Sequence, residues 1–210
     1  MAWLLSDKPL GRYLPRIVTQ PTGPELVQQQ SEYGRAHPDA FPFLGQWTRQ
    51  GVHLPAELLP ASGLVTSSHK TLPDHFSLGG LGFSQRLKDL VEAMEPQIHQ
   101  FKEVPLAYAT GQPVSGRYYA VVLGHMANNQ VVTSQSTIEA STSPGLSPIR
   151  IPTAKDQNRI CIDRSASSGW HMWHAWDIYS KIVVSNELHD QMIAAGIESF
   201  DYIEMREINS

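Results

Sequence analysis

Cysteine and long apolar runs are scarce in this sequence, and each absence excludes a class of protein. The only cysteine, Cys161, cannot form an internal disulfide, which fits a reducing compartment. No segment approaches the roughly 18 apolar residues of a membrane-spanning helix. The apolar start at Ala2–Leu5 is followed at once by charged residues, so it is too short for a signal peptide. We therefore expect a soluble, cytoplasmic protein with no membrane partner.

Basic residues are also fewer than acidic residues. The 210 residues include 16 Lys and Arg against 20 Asp and Glu, giving a net charge of −4. A nucleic-acid-binding protein usually carries a basic face, so this balance argues against that class. Hydrophobic residues make up 41% of the chain and charged residues 17%, which is typical of a globular protein and not of a disordered one.

Catalytic and metal-binding motifs are absent as well. The chain has no H-E-x-x-H, C-x-x-C or G-x-S-x-G pattern, and glycine-rich Ser77–Phe83 lacks the spacing and lysine of a P-loop. The best available cluster is His171, His174 and Asp177, which rests on proximity along the chain alone. We expect no metal, no cofactor and no catalytic residue. The alternative is a small-ligand-binding protein or hydrolase with its site near these three residues.

The remaining pattern predicts an α+β fold, with a mixed or antiparallel sheet and a few short helices. Residues 1–80 are rich in proline and are expected to wrap a core formed by residues 81–210, in one compact unit. Short helices are predicted near Glu25–Tyr33 and Ala56–Leu59. The expected anchors of this region in the core are Phe41, Phe43 and Trp47.

The middle of the chain gives clearer signals. Ser84–Met94 is predicted to be a helix that Ser84 caps, because its apolar residues recur at helical spacing. Gln100–Ala109 and Arg117–Leu123 are predicted to be strands of an antiparallel hairpin. The alternating setting of Cys161 indicates a small core residue of a strand, with a reactive thiol as the less favoured interpretation.

The end of the chain is the segment around which the rest is organised. Lys181–Val184 is a β-branched run that predicts a buried strand, and Ser185 can cap the helix that follows. Gly196 stands where a helix end needs a left-handed residue. Tyr202–Ile208 alternates with period two, as a half-buried strand does.

Residues 84–106 and 185–208 resemble each other. Ser84-Gln-Arg-Leu87 corresponds to Ser185-Asn-Glu-Leu188, 101 residues later. In the following strands the match shifts to 99 residues, with Phe101 opposite Phe200. One interpretation is two similar helix-strand units packed on a shared sheet. The other is that any amphipathic helix followed by a strand gives this pattern.

Aromatic and acidic residues mark the candidate binding surface. Trp170, Trp173 and Trp176 recur every three residues and would form one stripe on a helix or turn, with Trp173 in the core and the other two available to a partner. The last 34 residues hold seven acids and two bases, an excess of five negative charges. This is either a solvated face or a surface that attracts a basic partner. The predicted contact residues are Trp170, Trp176, Asp177, Glu198, Asp201, Glu204 and Glu207.

Two ordered series of motifs resemble one protein family. The first runs from Leu87-Lys-Asp-Leu90 through Glu95-Pro-Gln-Ile-His99 to Tyr118-Tyr119, and the second from Gly169-Trp-His-Met-Trp173 through Ile182-Val-Val-Ser185 to Ala195-Gly196. Together they resemble the eleventh numbered family of immunity proteins from bacterial polymorphic toxin systems, formerly a domain of unknown function. The resemblance covers about residues 83–208.

The resemblance implies an α+β protein without enzymatic activity that binds and neutralises a cognate toxin domain, such as that of a secreted effector. The family's structural tryptophan maps to Trp173 and its helix-opening serine to Ser185. A polar residue, often arginine, follows that tryptophan in the family, and here it is His174. If the toxin acts on an anionic substrate, its site is basic and the acidic end of this chain would mimic that substrate.

Overall fold

The computed structural model describes residues 1–7, 15–37, 53–67, 71–136, 139–140, 149–150, 160–178 and 181–208. The strands are β1 (Ala2–Asp7), β2 (Ile17–Gln20), β3 (Ser62–Val65), β4 (His75–Ser77), β5 (Leu81–Ser84), β6 (Gln100–Glu103), β7 (Leu106–Tyr108), β8 (Tyr118–Val122), β9 (Met126–Ala127), β10 (Glu139–Ala140), β11 (Ile149–Arg150), β12 (Cys161–Asp163), β13 (Met172–Ala175), β14 (Lys181–Ser185) and β15 (Phe200–Ile208). The α-helices are α1 (Gly23–Ala36), α2 (Gln85–Met94) and α3 (Asn186–Ala194), with a 3-10 turn at Ala56–Leu58. The predicted α+β class is confirmed, with mixed and antiparallel sheets.

The largest sheet has six strands in the order β12-β15-β1-β14-β13-β9. Its centre is β1, which pairs antiparallel with both β14 and β15. Leu4 and Leu5 of β1 are almost completely buried. The sequence predicts that residues 1–80 wrap the core as turns and short strands, and β1 is a short strand that lies inside the sheet.

A second sheet has four strands in the order β4-β5-β8-β6, all antiparallel to their neighbours. The predicted hairpin is confirmed where β6 pairs with β8. Its first strand is divided at Pro105, because β7 leaves to pair in parallel with β3 in a three-stranded sheet. The short helices predicted at Glu25–Tyr33 and Ala56–Leu59 correspond to α1 and the 3-10 turn.

The repeated pattern in the sequence corresponds to two similar units in the structure. The first unit is β4-β5-β8-β6 with α2 after β5, and the second is β13-β14-β1-β15 with α3 after β14. Ser84 and Ser185 cap the two helices, and each side-chain oxygen accepts a hydrogen bond of 3.2 Å from Leu87 N or Leu188 N. Each unit therefore places one antiparallel strand between the two strands that its helix connects.

The register of the strands corrects the alignment of the two units. Tyr119 of β8 lies opposite Glu103, and Trp3 of β1 lies opposite Glu204. The matched pairs are thus Phe101 with Tyr202 and Glu103 with Glu204, 101 residues apart like the caps. The predicted shift to 99 residues is wrong. A shift of two residues keeps the same side chains on the same face of a strand, so apolar alternation could not detect it.

The two units share a core but not a sheet, so the predicted shared sheet is wrong. Arg86, at the start of α2, donates to Ala195 O and Gly196 O just beyond α3, at 3.0 and 3.4 Å, so the start of α2 lies against the end of α3. Leu87 and Leu188 are both completely buried in the apolar cluster between the helices and the two sheets. A second cluster, which includes Trp173 and Met205, covers the opposite face of the six-stranded sheet.

Several local predictions can be compared directly with the structure. Cys161 is completely buried in β12, as expected for a core residue. Gly196 has a φ of 69°, in the left-handed region that favours glycine. Phe41, Phe43 and Trp47 lie outside the described residues. Among the described helices, none combines the length and apolar composition that crossing a membrane requires.

Candidate functional site

A buried carboxylate joins the two units. Glu95 follows the last residue of α2 and is 4% exposed. It accepts hydrogen bonds from the backbone N–H groups of His171 and Met172 at 2.8 and 2.9 Å, where β13 begins. The Nε2 atoms of His99 and His125 lie 2.7 and 3.3 Å from its two oxygens. Glu95 thus holds the start of β13 in the six-stranded sheet against the end of α2.

The electrostatics of this junction favour an ionised carboxylate. Burial acts to raise the pKa of Glu95, but the hydrogen bonds from His99 and from the backbone of His171 together lower it below its ordinary value. Burial also lowers the pKa of His125, against the attraction of Glu95. At neutral pH the site therefore contains a charged Glu95 beside a neutral His125.

Close backbone packing completes the junction. His99 Nδ1 accepts a hydrogen bond of 3.0 Å from Gly124 N, so the ring proton lies on Nε2 and points to Glu95. A Cβ atom at Gly124 would lie 2.0 Å from Ile98 O, so only glycine fits here. This network was missed from the sequence, although Glu95 and His99 are spaced for contact one helical turn apart.

Trp170 lies on this junction and lines a groove. Its ring stacks on His125, with centroids 4.3 Å apart and an angle of 7° between the planes. The groove has a volume of about 350 Å³ and lies where strands of the six-stranded sheet end. Trp170, His171, Glu187 and Arg164 are among the residues that line it. Trp170 therefore has a fixed orientation and remains partly accessible.

The three residues of the alternative site are not brought together in this groove. His171 lines it, and its Nδ1 lies 2.9 Å from Ser185 Oγ. His174 is buried in β13, and buried Asp177 accepts a hydrogen bond of 2.8 Å from Val131 N. Within the described ranges, no three His, Cys, Asp or Glu side chains are grouped so as to hold a metal ion.

The tryptophans do not form the predicted stripe. Trp173 is completely buried in β13, as predicted, and its Nε1 donates to Gln130 Oε1 at 2.7 Å. The segment is a strand and not a helix, so the three rings do not share one face. Trp170 precedes the strand, and partly buried Trp176 follows it.

The predicted acidic residues are spread over the surface. Glu198, Asp201 and Glu204 are exposed, but Asp201 and Glu204 lie on opposite faces of β15 because their spacing is odd. Glu207 pairs with Arg164 and with the amino group of Met1. Asp177 is buried, so it is not part of the exposed acidic surface of the described residues.

The fold and the site together define the class of protein as α+β, built from two similar units. A rigid α+β scaffold presents an oriented aromatic ring and exposed carboxylates, and the buried Glu95 with its two histidine neighbours joins two structural units. Such a surface can bind a macromolecule, whereas its buried Glu95 is hydrogen-bonded in place and is not open to a substrate.

The comparison with known families agrees with this class. The model of the Immunity protein family (Imm11) matches residues 26–207, which is most of the chain. The chain belongs to this immunity protein family. The match confirms the resemblance found in residues 83–208 and extends it to Leu26, within α1. A search of curated proteins found no match.

Proposed function

We propose that this chain is an immunity protein that binds a cognate bacterial toxin domain and neutralises it in a stoichiometric complex. The family match over residues 26–207 carries the proposal. In this mechanism the toxin is blocked by coverage of its active site or of a surface that must move. No bond is made or broken by side chains of the immunity protein itself.

Electrostatic attraction supports this mechanism. The chain has a net charge of −4, and Glu198, Asp201 and Glu204 extend their carboxylates into solvent. A toxin that acts on an anionic substrate has a basic site, which such carboxylates attract over long range. Attraction of this kind speeds association more than it slows dissociation.

The alternative function has less support. A small-ligand or hydrolase site near His171 would need His174 and Asp177 beside it, and both are buried away from solvent. The groove at His171 is lined instead by residues such as Trp170 and Glu187. We therefore retain only the immunity function.

The test uses the C-terminal domain encoded by the reading frame adjacent to the gene for this chain. Its expression in a reporter bacterium should stop growth, and co-expression of this chain should restore growth. The purified proteins should form a 1:1 complex by light scattering after gel filtration. A toxin domain of unrelated sequence serves as control and should not be neutralised. Growth arrest without rescue, together with no complex, would contradict the proposal.

A further inference from the structure

The two units carry equivalent aromatic faces on their helices. In the first unit, Lys88 Nζ lies 5.4 Å from the ring centroids of both Phe101 and Tyr119. In the second unit, the equivalent residue His189 stacks on Trp3 at 3.9 Å and meets the edge of Tyr202 at 4.9 Å. A nitrogen-bearing side chain on the helix thus covers two rings on the neighbouring strands in each unit.

The surrounding hydrogen bonds show the same equivalence. Gln85 Oε1 accepts a hydrogen bond from the hydroxyl of Tyr119, and Asn186 Oδ1 accepts one of 3.1 Å from Trp3 Nε1. The backbone N–H groups of Gln85 and Asn186 each donate at 3.0 Å to the residue two positions before that aromatic residue. We define the first aromatic face as Gln85, Lys88, Glu92, Phe101, Glu103 and Tyr119. The second aromatic face consists of Trp3, Asn186, His189, Ile193, Tyr202 and Glu204.

In the first aromatic face, the charged side chains form ion pairs within the chain. Lys88 forms an ion pair with Glu92 one helical turn away. Glu103, at the edge of the same face, forms an ion pair with Arg117. The cations of this face are therefore paired within the chain, and the rings below Lys88 are covered.

The second aromatic face lacks both ion pairs. Ile193 replaces Glu92 and is 52% exposed. Glu204 replaces Glu103, is exposed, and forms no ion pair with any residue in the described part of the chain. Asp190, also exposed, lies 2.9 Å from His189 Nδ1, and Asp89 occupies the equivalent position beside Lys88 in the first face. The same scaffold thus presents an open apolar side chain next to aromatic rings and carboxylates.

We propose that the second aromatic face is the surface that docks the toxin, an inference that rests on the proposed function. The occupant is a toxin surface with an apolar side chain flanked by lysine or arginine. Ile193 would form a desolvated centre against that side chain, while Glu204 and Asp190 would meet the cations. A second copy of this chain is a poorer occupant, because a two-fold contact here would bring identical carboxylates together.

The internal repeat supplies a matched test. The double variant H189K/I193E gives the second face the ion pair of the first, and K88H/E92I makes the opposite exchange in the first face. The probe is the C-terminal toxin domain of the adjacent reading frame, with binding measured by biolayer interferometry. We expect H189K/I193E to weaken binding at least 100-fold and K88H/E92I to change it less than threefold. Circular dichroism and melting temperature check folding, and I193E alone replaces the double variant if that does not fold.

Charge-reversal variants test the same inference independently. E204K should lower the association rate about tenfold at low salt, with a smaller effect at high salt, since screening weakens long-range attraction. E103K, at the equivalent position of the first face, should leave the association rate unchanged.

The outcomes separate this inference from the proposed function. Failure of the unaltered chain to bind the probe would overturn the proposed function and with it the inference. Binding by H189K/I193E within threefold of the unaltered chain, or equal losses in both double variants, would overturn the inference alone. Dimerisation of the unaltered chain that H189K/I193E abolishes would assign the face to self-association and likewise overturn it.

Discussion

At the residue scale, Glu95 shows how a buried charge is made tolerable. A carboxylate removed from water is destabilising unless several donors replace the lost hydration. Glu95 receives two backbone N–H donors and the imidazole of His99, all within 2.9 Å. Because those donors belong to different units, the charge also fixes how the units sit against each other.

Replacement of Glu95 should therefore be costly. In E95Q the amide NH2 must face a donor from His99, His171 or Met172, so one buried hydrogen bond is lost and the charge is removed. We expect the free energy of unfolding to fall by about 3 kcal/mol, measured by urea denaturation at pH 7. E92Q on the same helix is the control and should cost less than about 1 kcal/mol, since Glu92 lies at the surface. A loss in E95Q no larger than in E92Q would contradict this role.

The same residue gives the sign of the pH dependence. The pKa of Glu95 is lower in the folded state, so its ionisation stabilises the fold above its ordinary value of 4.5 and this contribution is lost as pH falls below it. The pKa of His125 is also lowered, from 6.5, so its neutral form stabilises the fold above that value and protonation opposes folding below it. Urea midpoints should therefore decline from pH 7 to pH 4, and E95Q should lose the part of the decline below pH 4.5.

At the element scale, the helices α2 and α3 depend on their serine caps. Each Oγ satisfies a backbone N–H that the first turn leaves without a partner. S84A and S185A should each lower the free energy of unfolding by about 1 kcal/mol. S115A, at an exposed loop position, is the control and should have almost no effect. Urea denaturation of the three variants measures this, and cap variants as stable as S115A would show that the caps are dispensable.

At the scale of the whole molecule, β1 connects the start of the described chain to its end. Leu4 lies opposite Val183 on one side and Ile203 on the other, and it is 1% exposed. L4A should therefore cost about 2–5 kcal/mol, as is typical of a large-to-small change in a core. L64A, the same substitution at a 41% exposed strand position, should cost less than about 1 kcal/mol.

The stabilities of L4A and L64A are measured by thermal unfolding, monitored both by circular dichroism and by tryptophan fluorescence. Both probes should give one coincident transition, since the two units share a core. Two separate transitions in the unaltered chain, or equal losses in L4A and L64A, would show that β1 does not unite the molecule.

Local chemistry determined what the sequence could reveal by itself. The capping serines, the helix over Ser84–Met94, the strand at Lys181–Val184 and the repeated pattern of the two units all follow from short-range periodicity and side-chain hydrogen bonding. The motif series also indicated the family, whose model matches residues 26–207.

Only the tertiary structure decided which strands are neighbours and which side chains meet. The placement of β1 between β14 and β15 joins segments almost two hundred residues apart, and the groups around Glu95 come from three separate segments, at His99, at His125 and at His171 with Met172. The difference between the two aromatic faces likewise depends on strand register. Periodicity shows which face of an element is buried, but it carries no information about the partner, since long-range pairing depends on the packing of the whole chain.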